Sequence, residues 1–151
     1  MTVKLGVVMD AIATIQYKKD STLAMLWEAE KRGWEIYYFE QADLYLQDGF
    51  AYGNAKKLHV HQDANNWFSW HGEQTMLLED LDIILMRKDP PLNDAFIHTT
   101  QILEYAERNG VLVVNRPSAL RDCNEKLFAC DFPACMPATL VTQSRQKFME
   151  F

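Results

Sequence analysis

Neither G-x-G-x-x-G nor G-x-x-x-x-G-K-[ST] occurs among the six glycines of this sequence. A dinucleotide-binding dehydrogenase or a P-loop nucleotidase therefore lacks its central motif. Positive charge is also scarce: 15 Lys and Arg against 21 Asp and Glu leave a net charge of −6. Without a clustered basic surplus, a nucleic-acid backbone or an anionic membrane is a poor partner, and neither is expected. No apolar run approaches the ~18 residues of a membrane-crossing helix. The opening Met1-Thr-Val-Lys-Leu-Gly-Val-Val8 lacks the charged region, long apolar stretch and small-residue cleavage site of a secretory signal, so a cytoplasmic protein is expected. Cysteine is sparse and odd in number. Cys123, Cys130 and Cys135 are separated by six and four residues, which matches neither C-x-x-C redox spacing nor paired zinc ligands. Reduced, mostly buried thiols are expected.

What is present is the material of one folded domain: 151 residues, 48% hydrophobic and 12% aromatic. The apolar run Val3 to Met9 reads as a parallel strand buried on both faces. Asp20 and Ser21 offer N-caps for a helix carrying Leu23, Leu26 and Trp27, stopped at Gly33, and a strand follows over Glu35 to Glu40. This is a βαβ unit, which favours a parallel sheet and a right-handed crossover. Asp48-Gly49 between two strand-like runs predicts an antiparallel hairpin inserted over residues 43–62. The stretch Asn65 to Glu79, with Trp67, Phe68 and Trp70 as a packing cluster, has no clear period and reads as loop or short helix. Regular order resumes with a strand over Asp82 to Arg87. A helix opened by Asn93 or Asp94 carries Phe96, Thr99, Ile102, Leu103 and Ala106 and is closed by Gly110. A strand over Val111 to Asn115 leads to a helix bearing Leu120, Cys123 and Leu127. A further strand over Thr139 to Thr142 and a helix beginning at Ser144 complete the expected pattern.

The fold class expected is therefore α/β: a Rossmann-like, mostly parallel sheet flanked by helices, with an antiparallel hairpin insertion. Sheets of this kind bind ligands at the carboxyl ends of their strands. That edge gathers Asp10 and its loop to Lys18 and Lys19, then Arg87-Lys88-Asp89, then Asn115-Arg116, a polar and largely cationic rim. Asp89-Pro90-Pro91 cannot continue a helix, because each proline fixes φ and drives the preceding residue to extended geometry. A guanidinium held this way suits a carboxylate or phosphate. Equally, Arg87 could simply pair with Asp89 or Asp94, the prolines doing no more than ending the strand. His59 and His61 share one strand face at metal-compatible spacing, but no third ligand is near, and a solvated face is expected.

At this point the residues become specific. The runs Lys4-Leu-Gly-Val-Val-Met-Asp10, Lys18-Lys-Asp-Ser21, Asp43-Leu-Tyr-Leu46, Asp82-Ile-Ile-Leu-Met-Arg-Lys-Asp-Pro-Pro91 and Asn115-Arg-Pro-Ser-Ala-Leu-Arg-Asp-Cys-Asn-Glu-Lys-Leu-Phe128 closely resemble the N-terminal part of bacterial glutathione synthetase. The likeness covers essentially the whole chain. It implies a ligase that joins γ-glutamylcysteine and glycine, using ATP and Mg²⁺ through an acyl phosphate, on an ATP-grasp fold and in a homo-oligomer, a tetramer in the family. Residues 1–124 would form the pre-ATP-grasp domain, and 125–151 the start of the ATP-grasp region. Lys126 matches the family's first ATP-contacting lysine. Arg87 matches a position at the dipeptide pocket, with Asp10, Ile12, Tyr17, Lys18 and Asn115 expected around the substrate. The family's glycine-rich loop and Mg²⁺ ligands lie beyond Phe151, so this chain alone is expected not to ligate. Two rival readings remain: a non-catalytic module that binds an anionic ligand, and a dimerisation domain.

Overall fold

The computed structural model of the chain describes residues 2–89, 91–124 and 126–151. Pro90, half of the double proline, and Glu125, at the expected domain boundary, lie outside the described residues. Seven strands form one sheet in the order β3-β4-β2-β1-β6-β7, with β5 on the remaining edge of β4. β1 (Lys4–Val8), β2 (Glu35–Phe39), β6 (Ile83–Met86) and β7 (Leu112–Val114) run parallel. β3 (Leu44–Gln47), β4 (Phe50–Val60) and β5 (Phe68–Leu77) add the antiparallel part. The expected α/β class, with its hairpin insertion, is what the chain adopts.

Local chemistry explains most of the elements. α1 (Ser21–Lys31) starts where the Asp20 side chain accepts a hydrogen bond from the Leu23 N–H. α2 (Asp94–Arg108) starts where Asn93 does the same for Phe96. Each cap satisfies one of the donors that a helix start leaves open. Asp48 and Gly49 both take positive φ, 52° and 85°, the geometry that a two-residue hairpin demands. Alternation along the central strands feeds a core on each face of the sheet. Val7, Ile36, Tyr38 and Leu58 meet α1 through Leu23 and Leu26, while Val8, Phe39, Ile84 and Val113 meet α2 through Phe96 and Leu103. Gly53 lets β4 close on Phe39: a Cβ there would lie 2.5 Å from the Phe39 ring.

Several expectations fail. Residues 65–79 are neither loop nor short helix, since most of them form β5. Their period is hidden because Lys56 pairs with Glu73 and Leu58 with Trp70, which gives β5 one extra residue, and Gly72 sits nearby at φ 113°. Such a bulge shifts the inward-facing set by one position. The helix after Arg116 is shorter than expected. α3 spans only Pro117–Asp122, because the Asn124 side chain accepts from the backbone N–H groups of Lys126 and Leu127 and turns the chain. Cys123 and Leu127 therefore leave the helix, and all three cysteines are exposed free thiols rather than buried ones. Thr139 to Thr142 pairs with no strand and stays exposed, whereas α4 (Arg145–Glu150) does form behind its Ser144 cap. Among the described residues no helix is long and apolar enough to cross a membrane.

Candidate functional site

The parallel strands place the ends of β1, β6 and β7 side by side, and the polar groups at those ends meet. Asp10, just past β1, pairs through Oδ1 with Lys88 Nζ at 2.8 Å, and its Oδ2 accepts from the Asp89 N–H at 3.0 Å. One carboxylate thus ties the loop after β1 to the segment after β6. Arg87 does not pair with Asp89 or Asp94. Its Nε donates to Thr22 Oγ1 at 3.0 Å and its Nη2 to Ser21 Oγ at 2.9 Å, so the first turn of α1 orients the guanidinium. The physical reason lies in the layers: α1 packs on the sheet face lined by Val7, Ile36 and Leu58, its first turn brings two hydroxyls within reach, and Asp10 already holds the next residue.

Two cavities open on this rim and share Arg87 and Asp89. The larger, about 610 Å³, is lined by Arg87, Lys88, Asn115, Asn124 and Lys126 over an apolar floor that includes Phe96. The smaller, about 230 Å³, is lined by Asp10, Ile15, Lys19, Ser21, Thr22 and Arg87. Of the residues expected from sequence, Arg87, Asn115 and Lys126 border the first and Asp10 and Arg87 the second. Ile12, Tyr17 and Lys18 border neither. Ile12 is buried, and its carbonyl accepts from Trp67 Nε1 at 3.1 Å. Tyr17 lies edge-on to Trp27, with ring centroids 5.4 Å apart, and beside Trp67. Lys18 is exposed.

Sequence reasoning placed Lys88 on the rim without naming Asp10 as its partner, and it missed Ser21, Thr22 and Asn124 as site residues. Ser21 was read only as a cap candidate beside Asp20, and nothing local marks a residue of the first helical turn as the partner of a distant arginine. Tyr38 also braces the rim. Its hydroxyl lies 2.9 Å from Glu40 Oε1 and receives the Ile12 N–H. Burial first, and then the Glu40 carboxylate, push this phenol well above its ordinary range.

Away from the rim, His59 Nδ1 contacts Glu30 Oε1 at 2.8 Å, and its ring meets that of His71 at 4.3 Å. Among the described residues no group of three His, Cys, Asp or Glu side chains could hold a metal ion. The expected aromatic packing cluster is present, with Trp67, Phe68 and Trp70 in successive ring contacts. An apolar trough of about 670 Å³ runs between α1 and the β6–β7 edge, lined by Met25, Ile83, Leu85, Leu112 and Val114 among others.

Fold and rim together define a class: an α/β domain whose cations gather at the carboxyl edge of a parallel sheet, where folds of this kind take small ligands. Comparison with known proteins narrows it. Residues 3–121 match the family described as "Prokaryotic glutathione synthetase, N-terminal domain", and the chain belongs to that family. It is 55% identical over 151 residues to a glutathione synthetase of Pseudomonas syringae pv. tomato, covering 100% of this chain and 47% of that protein. It is 53% identical over 149 residues to those of Yersinia pestis and Escherichia coli K12, covering 99% of this chain and 47% of each. The chain thus spans about half the length of the curated relatives it matches.

Proposed function

We propose that this chain is the N-terminal, substrate-binding part of an ATP-dependent carbon–nitrogen ligase that joins γ-glutamylcysteine to glycine through an acyl phosphate. The observation that carries the reading is the convergence of Arg87, Lys88, Asn115 and Lys126 on one cavity of about 610 Å³, in a chain whose relatives are glutathione synthetases. The residues fit anionic ligands. Arg87 offers a planar fork for a carboxylate, held in place by Ser21 and Thr22. Lys126 offers a point charge for a nucleotide phosphate. Asp10 is already bonded to Lys88 and Asp89, yet an ionised carboxylate has about four acceptor sites, so a substrate ammonium can join them. Asn115 is placed to donate or accept at the same cavity. Ile12, Tyr17 and Lys18 complete the loop proposed to lie beside the dipeptide.

ATP would supply the phosphoryl group that activates the dipeptide carboxylate. The contribution assigned to this chain is binding and orientation, with the cations neutralising charge. The described residues do not fit Mg²⁺, because no carboxylate cluster among them could hold it. In the proposed division, residues 1–124 form the pre-ATP-grasp domain and 125–151 begin the ATP-grasp region. The setting is cytoplasmic and the assembly a homo-oligomer. On this reading the 151-residue chain does not ligate by itself.

The test is kinetic. In the full-length ligase, Arg87→Ala should raise the KM for γ-glutamylcysteine by about tenfold or more, as loss of a charge-assisted clamp does. An unchanged dipeptide KM would remove the clamp. Glutathione formed by the purified 151-residue chain from ATP, γ-glutamylcysteine and glycine would refute the assignment of catalysis to groups outside it. A second reading, a non-catalytic anion-binding or dimerisation module, draws on the exposed apolar trough beside α1. Titration of the chain with γ-glutamylcysteine, paired with sedimentation, separates the two.

A further inference from the structure

Asn124 and Lys126 reach the larger cavity from a short turn outside the sheet, so their position depends on what holds α3. Arg121, in the last turn of α3, donates through Nη2 to Glu104 Oε2 at 2.7 Å and through Nη1 to Thr100 Oγ1 at 3.2 Å. Both acceptors lie on α2, which the buried Phe96 and Leu103 anchor to the core. The ion pair is largely shielded, with side-chain exposures of 22% and 24%, and Thr100 is fully buried. The hydrogen bond from Arg121 is the main cause that holds the Glu104 carboxyl below its ordinary range. Arg108 adds a weaker contact at 3.4 Å. Beyond α3, Asn124 Oδ1 accepts from the N–H groups of Lys126 at 2.9 Å and Leu127 at 3.2 Å, which sets the turn that carries Lys126.

We propose that Arg121 is a positioning residue: by locking α3 onto α2 it fixes Asn124 and Lys126 across the cavity from Arg87 and Lys88. The assignment rests on the proposed reading of Lys126 as a nucleotide contact. A guanidinium is suited to this task because its fork serves two acceptors at once, whereas a lysine serves as a single point charge. A displacement of about 1 Å in a binding group is enough to cost large factors in function. A pair that merely adds stability would act on all ligands alike. A positioning pair acts on the ligand that its segment touches.

The experiment varies ATP and γ-glutamylcysteine separately in the full-length ligase carrying Arg121→Gln, Arg121→Lys or Lys126→Met, with thermal melts beside the kinetics. Arg121→Gln should raise the KM for ATP about tenfold while the dipeptide KM stays within about twofold. Arg121→Lys, which keeps the charge toward Glu104 but loses the fork, should recover part of that. An ATP KM within about twofold of the parent, or both KM values rising together with a fallen melting temperature, overturns the proposal. If Arg121→Gln does not fold, Glu104→Gln carries the same criteria. A silent Lys126→Met defeats the nucleotide reading and this proposal together. A strong Lys126→Met effect beside a silent Arg121→Gln overturns this proposal alone.

Discussion

Between Lys4 and Asp122 most large apolar side chains of the strands and helices enter a core, whereas from Lys126 to Phe151 none is buried. The second region is not poor in apolar residues: Leu127, Phe128, Phe132, Leu140, Val141, Phe148, Met149 and Phe151 are all exposed. What differs is layering. The first region sets a sheet between helices, so each alternating strand residue meets a helix face. The second has only short turns and the six-residue α4, and a helix that short gains too little from its own hydrogen bonds to organise a core. Apolar composition is therefore a demand for a partner, and topology decides whether the same chain supplies one.

Substitutions can break or sharpen this contrast, read as shifts in the urea midpoint of the 151-residue chain. Phe39→Ala removes a fully buried ring and should cost about 3–5 kcal/mol. A cost below about 1 kcal/mol would show that the core on the α2 side is looser than its packing indicates. Gly53→Ala pushes a methyl group into that same ring and should cost about 1–3 kcal/mol. Asp20→Ala removes the cap of α1 at about 1 kcal/mol. At the other extreme, Phe148→Ala, with 68% of the residue exposed, should stay within about 0.5 kcal/mol. A larger loss would mean that the second region is packed in solution.

The α2–α3 junction, which links the two regions, should show a pH signature. The depressed Glu104 carboxyl contributes stability that is present above its ordinary value of 4.5 and fades as pH falls through its lower folded value. Between about pH 6 and about pH 3, Arg121→Gln should therefore lose less stability than the parent, by at most about 1 kcal/mol for a partly shielded pair. Equal losses in the two proteins would show that the Arg121 pair does not set the Glu104 titration.

Much of the fold was legible because its signals are local. Asp20, Asn93 and Ser144 announced helix starts, Asp48-Gly49 announced the hairpin, and the apolar runs around Val7 and Val113 announced buried strands. β5 was not legible, because its bulge breaks the period on which strand reading depends. Nor was the end of α3, since an Asn side chain that turns the chain looks no different in sequence from one that faces solvent. The buried-thiol expectation failed because it followed the usual habit of free cysteines, whereas Cys123 ends α3 and Cys130 and Cys135 lie in short exposed turns outside the layered core.

For the candidate site, residue types and the strand-end rule led to Arg87, Asp10 and Asn115, and likeness to a known family added Lys126. Partners were another matter. Arg87 meets Thr22 across 65 positions and Asp89 meets Asp10 across 79, separations over which no period or motif reports. By itself the sequence determined the helix caps, the Asp48-Gly49 hairpin turn, the parallel strands and the family, because those follow from neighbouring residues or from motifs. Tertiary structure alone decided which rim groups touch, which cavity each one lines and which apolar residues find a core, because parallel strands join distant segments by sheet order.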